Sequence, residues 1–162
     1  MDLRDRIAAA TKDAMKARDA ARLSTLRLIG AGIKDRDIAA RSEPGAAAAG
    51  AATGGQGVGD DDLIALLSKM VKQRQESARA YEEGGRLELA ERETQEIAII
   101  QEFLPRQLDQ AEVAAVIERV IAELGATGVR DMGRVMGALR ERHAGQMDFG
   151  AAGALVKSRL MG

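Results

Sequence analysis

Cysteine is absent from the sequence, and histidine occurs once, at His143. Without cysteine the chain can form no disulfide and presents no thiolate to a metal or a substrate. One imidazole is too few for zinc sites that rest on two or more histidines. The serines lie outside the GxSxG and SxxK motifs of nucleophilic enzymes. We therefore expect no metal site, no bound cofactor and no catalytic residues in this chain.

Aromatic residues are also scarce, at 2% of the 162 residues, and tryptophan is missing. Strands and sheet cores depend on aromatic and β-branched side chains, so this composition disfavours an all-β fold. The abundant residues are alanine, leucine, arginine, glutamate and glutamine, which lose little on entering a helix. The composition predicts an all-α fold.

Long apolar runs are missing as well, since no stretch of about 18 apolar residues, the length that crosses a bilayer, occurs in the sequence. Asp2 and Asp5 stand near the N-terminus, where a secretory signal would carry an apolar segment. We expect a cytoplasmic protein that has no membrane partner.

Apolar residues recur at steps of three and four along the chain, which is the period of amphipathic helices. This spacing predicts helices over about 2–18, 20–40, 60–82, 86–103, 109–124, 131–142 and 149–160. Asp19 is a predicted N-cap, and Asp109 with Glu112 has the spacing of a capping box. Gly84 and Gly125 are predicted to end helices.

Residues 42–59 contain six glycines and six alanines and almost no charge. Such a stretch buries too little apolar surface to offset the entropy of ordering, so we predict a flexible loop. Its glycine-rich residues Gly55–Gly59 are similar to a phosphate-binding loop, but the three aspartates that follow would repel phosphate. We predict an N-terminal domain of two helical hairpins over 1–105 and a three-helix tail domain over 109–162.

Charge is nearly balanced overall, with 24 basic and 25 acidic residues, but it is segregated along the chain. Positions 1–41 carry ten basic and six acidic residues, whereas positions 82–108 carry three basic and seven acidic ones. Positions 126–162 carry six basic and three acidic residues. A nucleic-acid partner would therefore have to meet a local basic patch.

The candidate phosphate-binding side chains come from one central helix and from the tail. Arg130 and Arg134 stand at the start of a predicted helix, where backbone amides also favour phosphate. The alternative for the central group is an ordinary solvated helix face. The complete candidate set is Lys69, Lys72, Arg74, Arg130, Arg134, Arg140, Arg142, Lys157 and Arg159.

Three stretches have specific motifs: residues 71–77 (VKQRQES), residues 84–93 (GGRLELAERE) running into 103–108 (FLPRQL), and residues 131–137 (DMGRVMG). Together they resemble the GatB/YqeY family. With the closing residues 155–157 the resemblance covers nearly the whole chain. The sequence departs from the family in its long segment 42–59 and in residues 145–150, where a more basic pattern is usual.

The resemblance implies an all-helical protein similar to the last part of the B subunit of the glutamyl/aspartyl-tRNA amidotransferase, a region that helps to hold tRNA. It implies a non-catalytic module of aminoacyl-tRNA metabolism that binds tRNA or associates with an amidotransferase or an aminoacyl-tRNA synthetase. One alternative is an accessory component of a carbon–nitrogen ligase that takes its amide nitrogen from glutamine. Another is a helical protein-interaction module unrelated to tRNA. The oligomeric state is left open.

Overall fold

The predicted helices are present in the computed structural model, which describes residues 2–42 and 57–161. They are α1 (Leu3–Ala17), α2 (Ala20–Ser42), α3 (Asp60–Glu83), α4 (Leu87–Gln101), α5 (Gln110–Leu124), α6 (Met132–Arg142) and α7 (Phe149–Met161). A short 3-10 turn, Val129–Asp131, precedes α6. The two described ranges contain no strand, so the all-α prediction is confirmed.

Local signals set several helix ends as predicted. The Asp19 carboxylate accepts a hydrogen bond from the Arg22 amide at 3.1 Å. At the start of α5, Asp109 accepts from the Glu112 amide at 2.8 Å, and Glu112 accepts in return from the Asp109 amide at 3.3 Å. This reciprocal pair satisfies two amides that have no partner within the helix. Gly125 ends α5 in the left-handed conformation, with φ of 63°.

The first compact unit is Met1–Leu104, and it contains the α1–α2 pair and the α3–α4 pair. Each helix turns an apolar stripe inward, as the sequence spacing requires. The largest fully buried side chains of this unit are Leu26, Ile29, Leu63, Leu67 and Ile100. They come from α2, α3 and α4, so the core lies between the two helix pairs.

The second compact unit is Pro105–Gly162, and it contains α5, α6 and α7. Its fully buried side chains are Ile117, Val120, Val135, Leu139 and Val156, which come from all three helices. That each unit folds as an independent domain, with the predicted bounds 1–105 and 109–162, stays a prediction. Among the described helices, none is both long and apolar enough to cross a membrane.

A cluster of polar contacts connects α1, α2 and the residues before α3. Both terminal guanidinium nitrogens of Arg4 donate to the Asp37 carboxylate at 3.0 Å, and Nη2 also donates to the Val58 carbonyl at 3.1 Å. The Val58 amide donates to Asp37 at 3.0 Å. The Arg4 hydrogen bonds hold the pKa of Asp37 below its usual range. Gly57, with φ of 88°, passes so close that an added Cβ would collide with Asp37 Oδ1.

This cluster determines the conformation of the last residues of the predicted loop 42–59. Ser42 is the final residue of α2, and residues 57–59 approach α3 through the Asp37 contacts. Residues 43–56 lie outside the described part of the chain. The Val58 amide donates to a carboxylate, so this amide is not available to phosphate.

Candidate nucleic-acid interface

The three candidate basic residues on α3 are Lys69, Lys72 and Arg74, and they differ in their surroundings. Lys69 and Lys72 are exposed, and Lys72 makes an interaction within the chain. The Arg74 side chain is only 15% exposed, and its Nε donates to Glu96 Oε2 of α4 at 3.1 Å. A guanidinium held in this way connects two helices of the first unit. Of the three, Lys69 has the most accessible charge.

Arg134 is held at the junction between α5 and α6. One of its terminal nitrogens donates to the Leu124 carbonyl at 2.9 Å, and the other donates to Asp131 Oδ1 at 3.3 Å. A helix leaves its last carbonyls without partners, and a cation there is favourable. Arg134 therefore caps the C-terminal end of α5. Binding a phosphate would require it to share these contacts.

Asp131 directly precedes α6, the helix whose first amides the sequence suggested as a phosphate site. Its carboxylate accepts hydrogen bonds from the amides of Thr127, at 3.0 Å, and Gly128, at 3.4 Å. These bonds, assisted by the charge of Arg134, lower the pKa of Asp131. A carboxylate that stays ionised at this turn competes with an incoming phosphate. Phosphate binding by the first amides of α6 stays a prediction, and Asp131 places a negative charge beside them.

Two further tail arginines pair with acidic residues of α5. Arg142 contacts Glu123, and Arg159 contacts Glu118. All four side chains are about half exposed, and such surface pairs contribute only about 0–1 kcal/mol to stability. A phosphate could therefore displace either carboxylate at low cost. In the folded chain, however, much of the positive charge of these two residues is balanced.

The remaining tail candidates, Arg130, Arg140 and Lys157, are exposed. Within residues 2–42 and 57–161 none of the three forms an ion pair. The Arg140 guanidinium lies 5.9 Å from the centre of the Phe149 ring, a cation–π contact between α6 and the start of α7. A guanidinium held over a ring keeps its donors available at the edge. Among the candidate residues of the second unit, these three have the most accessible positive charge.

His143, the single histidine, forms hydrogen-bond contacts within the folded chain. The His143 Nδ1 lies 3.0 Å from Gln146 Oε1, and the His143 amide donates to the Leu139 carbonyl at the end of α6. In the described part of the chain, acidic and histidine side chains form no group of three that could hold a metal ion.

Sequence reasoning missed two exposed rows in the first unit. Arg27, Lys34 and Arg41 lie seven residues apart on α2, and Glu88, Gln95 and Glu102 have the same spacing on α4 and its last turn. All six are exposed. The seven-residue spacing is visible in the sequence, but only the burial of the opposite helix faces identifies these rows as outward. The Arg4–Asp37 pair had no local signal, because 33 positions separate its members.

Comparison with known proteins places the chain in a family. The family model described as "Yqey-like protein" matches residues 4–160. The chain is also similar to the "Altered inheritance of mitochondria protein 41, mitochondrial" of Lachancea thermotolerans, with 31% identity over 115 residues. That match covers 70% of this chain and 54% of the yeast protein, so the chain spans about half the length of this relative.

Proposed function

The chain belongs to the YqeY-like protein family, and from that premise we propose that it is a non-catalytic helical module of aminoacyl-tRNA metabolism that binds tRNA. The observation that carries the proposal is the accessible positive charge of Arg130, Arg140 and Lys157, with Lys69 as a further contact. Phosphate contacts dominate the affinity of proteins for nucleic acids. Folded RNA is recognised largely through its shape and backbone, which suits a module without an aromatic platform.

The proposal extends to the partners and the compartment. A module that holds tRNA but lacks catalytic residues would act beside an amidotransferase or an aminoacyl-tRNA synthetase, to which it would deliver or orient the tRNA. We propose the cytoplasm as its compartment; the yeast relative is named as a mitochondrial protein. The paired arginines Arg134, Arg142 and Arg159 have a secondary role in this proposal, because tRNA would have to compete with Asp131, Glu123 and Glu118 for them.

The test is equilibrium binding of the purified full chain to total tRNA and to unstructured RNA of equal length, across a salt series. We expect preference for tRNA and a linear fall of log K with log salt concentration. Arg130→Ala with Lys157→Ala should reduce the slope by ~0.7–0.9 for each phosphate that the chain no longer neutralises. Arg119→Ala is the matched control, since Arg119 is an exposed arginine on α5 outside the candidate set.

Two outcomes would contradict the proposal. Equal affinity for tRNA and unstructured RNA would reduce the interaction to non-specific charge attraction. Absence of RNA binding at low salt would remove tRNA as a direct partner and favour the accessory role in a glutamine-dependent ligase. In that case, co-purification with amidotransferase subunits would be the next measurement.

A further inference from the structure

Two helices of the second unit each carry a pair of basic residues two positions apart. The pairs are Arg140 and Arg142 on α6, and Lys157 and Arg159 on α7. Successive residues of an α-helix are turned by about 100°, so residues two positions apart lie on nearly opposite sides of the helix. The two members of each pair therefore have different neighbours.

The second member of each pair contacts α5. Arg142 Nη1 donates to Glu123 Oε2 at 2.5 Å, and Arg159 contacts Glu118. Glu118 and Glu123 are five residues apart, so they lie about 140° apart around the axis of α5, one on each flank of the helix. Within residues 57–161, neither arginine has a second hydrogen bond or a ring contact. A single carboxylate thus balances the charge of each arginine.

The first member of each pair lies on the side of its helix that is turned away from α5. Arg140 is exposed, and its guanidinium lies 5.9 Å from the centre of the Phe149 ring at the start of α7. Lys157 is exposed on α7. Neither side chain forms an ion pair in the part of the second unit that the structure describes. The unbalanced positive charge of α6 and α7 therefore lies away from α5.

We propose that Glu118 and Glu123 confine RNA binding to the sides of α6 and α7 that are turned away from α5. The two carboxylates occupy the guanidinium groups that would otherwise bind phosphate along both flanks of α5. Ion pairs of this exposure are weak, so RNA can displace a carboxylate, but only with a loss of affinity. This inference rests on the proposed RNA-binding function and assigns to it two specificity-determining residues.

The restriction acts differently on folded and on flexible RNA. A folded RNA presents its phosphates at fixed positions, so its contact is limited to one side of the unit. A flexible single strand can follow the protein surface and reach the flanks of α5 as well. Balanced arginines on those flanks deprive the single strand of additional phosphate contacts and leave the contacts of the folded RNA in place. Glu118 and Glu123 therefore favour tRNA by weakening the competing complex.

The experiment measures equilibrium binding of the full chain, and of a variant with Glu118→Gln and Glu123→Gln, to unstructured RNA and to total tRNA of equal length. Glutamine keeps the shape of glutamate without its charge, and circular dichroism checks that the variant is folded. We expect the affinity for unstructured RNA to rise about three- to tenfold, because two weak ion pairs no longer compete with phosphate. The affinity for tRNA should rise less, so the preference for tRNA falls.

Two further variants separate this effect from a general change of charge. Glu141→Gln is the matched control for Glu123→Gln, because Glu141 is exposed on α6 and has no ion pair within the described ranges. It should change the affinity for both RNAs by the same small factor. Arg142→Ala with Arg159→Ala, added to the double glutamine variant, should remove the gain in affinity, because these two guanidinium groups are its source.

Three results would overturn the inference: unchanged affinity of the double glutamine variant for unstructured RNA, an equal rise for both RNAs, or a gain that persists without Arg142 and Arg159. Elution from immobilised heparin, a flexible polyanion without bases, distinguishes these results from failure of the proposed function. If the wild-type chain binds no tRNA, but Glu118→Gln with Glu123→Gln elutes at higher salt than Glu141→Gln, the tRNA proposal fails and the role of the two glutamates stands.

Discussion

The two units treat their charged side chains differently. In the second unit, Arg142 and Arg159 reach acidic residues of α5, so opposite charges that are separate in sequence are paired in space. In the first unit, Arg22 of α2 pairs with Glu102 at the end of α4, but Arg27 and Lys34 of α2 have no ion-pair partner among the described residues. The net charge of a segment therefore does not measure the charge that a partner can use. The segment 126–162 contains six basic residues, but three of them are ion-paired.

The units also differ in the ion pairs that hold them together. In the first unit Arg4 and Asp37 form a two-point contact in which both side chains are partly buried and Val58 completes the hydrogen bonds. The pairs between α5 and its neighbours are about half exposed. Burial weakens solvent screening, so the first contact should matter more for stability than the second type. Three predictions test this contrast between the units.

The largest effect on stability is expected from a cavity in the core of the second unit. Leu139 is fully buried, and Leu139→Ala should lower the free energy of unfolding of this unit by about 2–5 kcal/mol. Hydrogen exchange should show faster exchange of amides in α6 while those of α3 keep their protection. Ile29→Ala is the reciprocal variant, with its effect in α2 and α3. Equal loss of protection in both units would mean that they unfold as one.

An intermediate effect is expected from the Arg4–Asp37 contact. Asp37→Ala leaves Arg4 and the Val58 amide without their partner, and it should cost about 1–3 kcal/mol. Glu118→Ala removes an exposed partner of Arg159 and should cost no more than about 1 kcal/mol. Urea denaturation of both variants gives the comparison. If the two substitutions cost the same, burial does not distinguish the two kinds of ion pair.

The smallest effect on stability is expected from protonation of Glu112 at the start of α5. Hydrogen bonds from Arg106, followed by that from the Asp109 amide, lower the pKa of Glu112 from 4.5 to about 2. The ionised group therefore stabilises the folded state fully above pH 4.5, and this contribution is lost as the pH falls toward 2. Glu112→Gln should flatten the acid dependence of unfolding in the second unit over this range, as measured by thermal denaturation. An unchanged pH profile would contradict this assignment.

The helices could be predicted from the sequence because their signals are local. The spacing of Leu3, Ile7 and Ala14, the capping box of Asp109 and the stop at Gly125 each depend on residues within a few turns. The end of α4 at Gln101 was predicted two residues too late, because Pro105 bounds a helix without deciding where its last turn opens.

The candidate site was predictable only in part. The spacing of Arg130 and Arg134 identified basic residues, but their neighbours depend on how α5 and α6 pack. The partners Leu124 and Glu123 lie ten and 19 positions from the arginines that contact them, Arg134 and Arg142. Helical periodicity indicates the buried side of each helix, but not which charged residue of another helix lies opposite its exposed side. The availability of each arginine was therefore beyond the reach of the sequence.

The close passage of Gly57 over Asp37 has an evolutionary consequence. By composition alone, the six glycines of residues 42–59 are equivalent. Gly57 is different, because any larger residue combines a strained φ of 88° with a collision against the Asp37 carboxylate. A substitution there would be removed by selection for the α1–α2 attachment. Within this segment of low complexity, we therefore expect position 57 to tolerate substitution least.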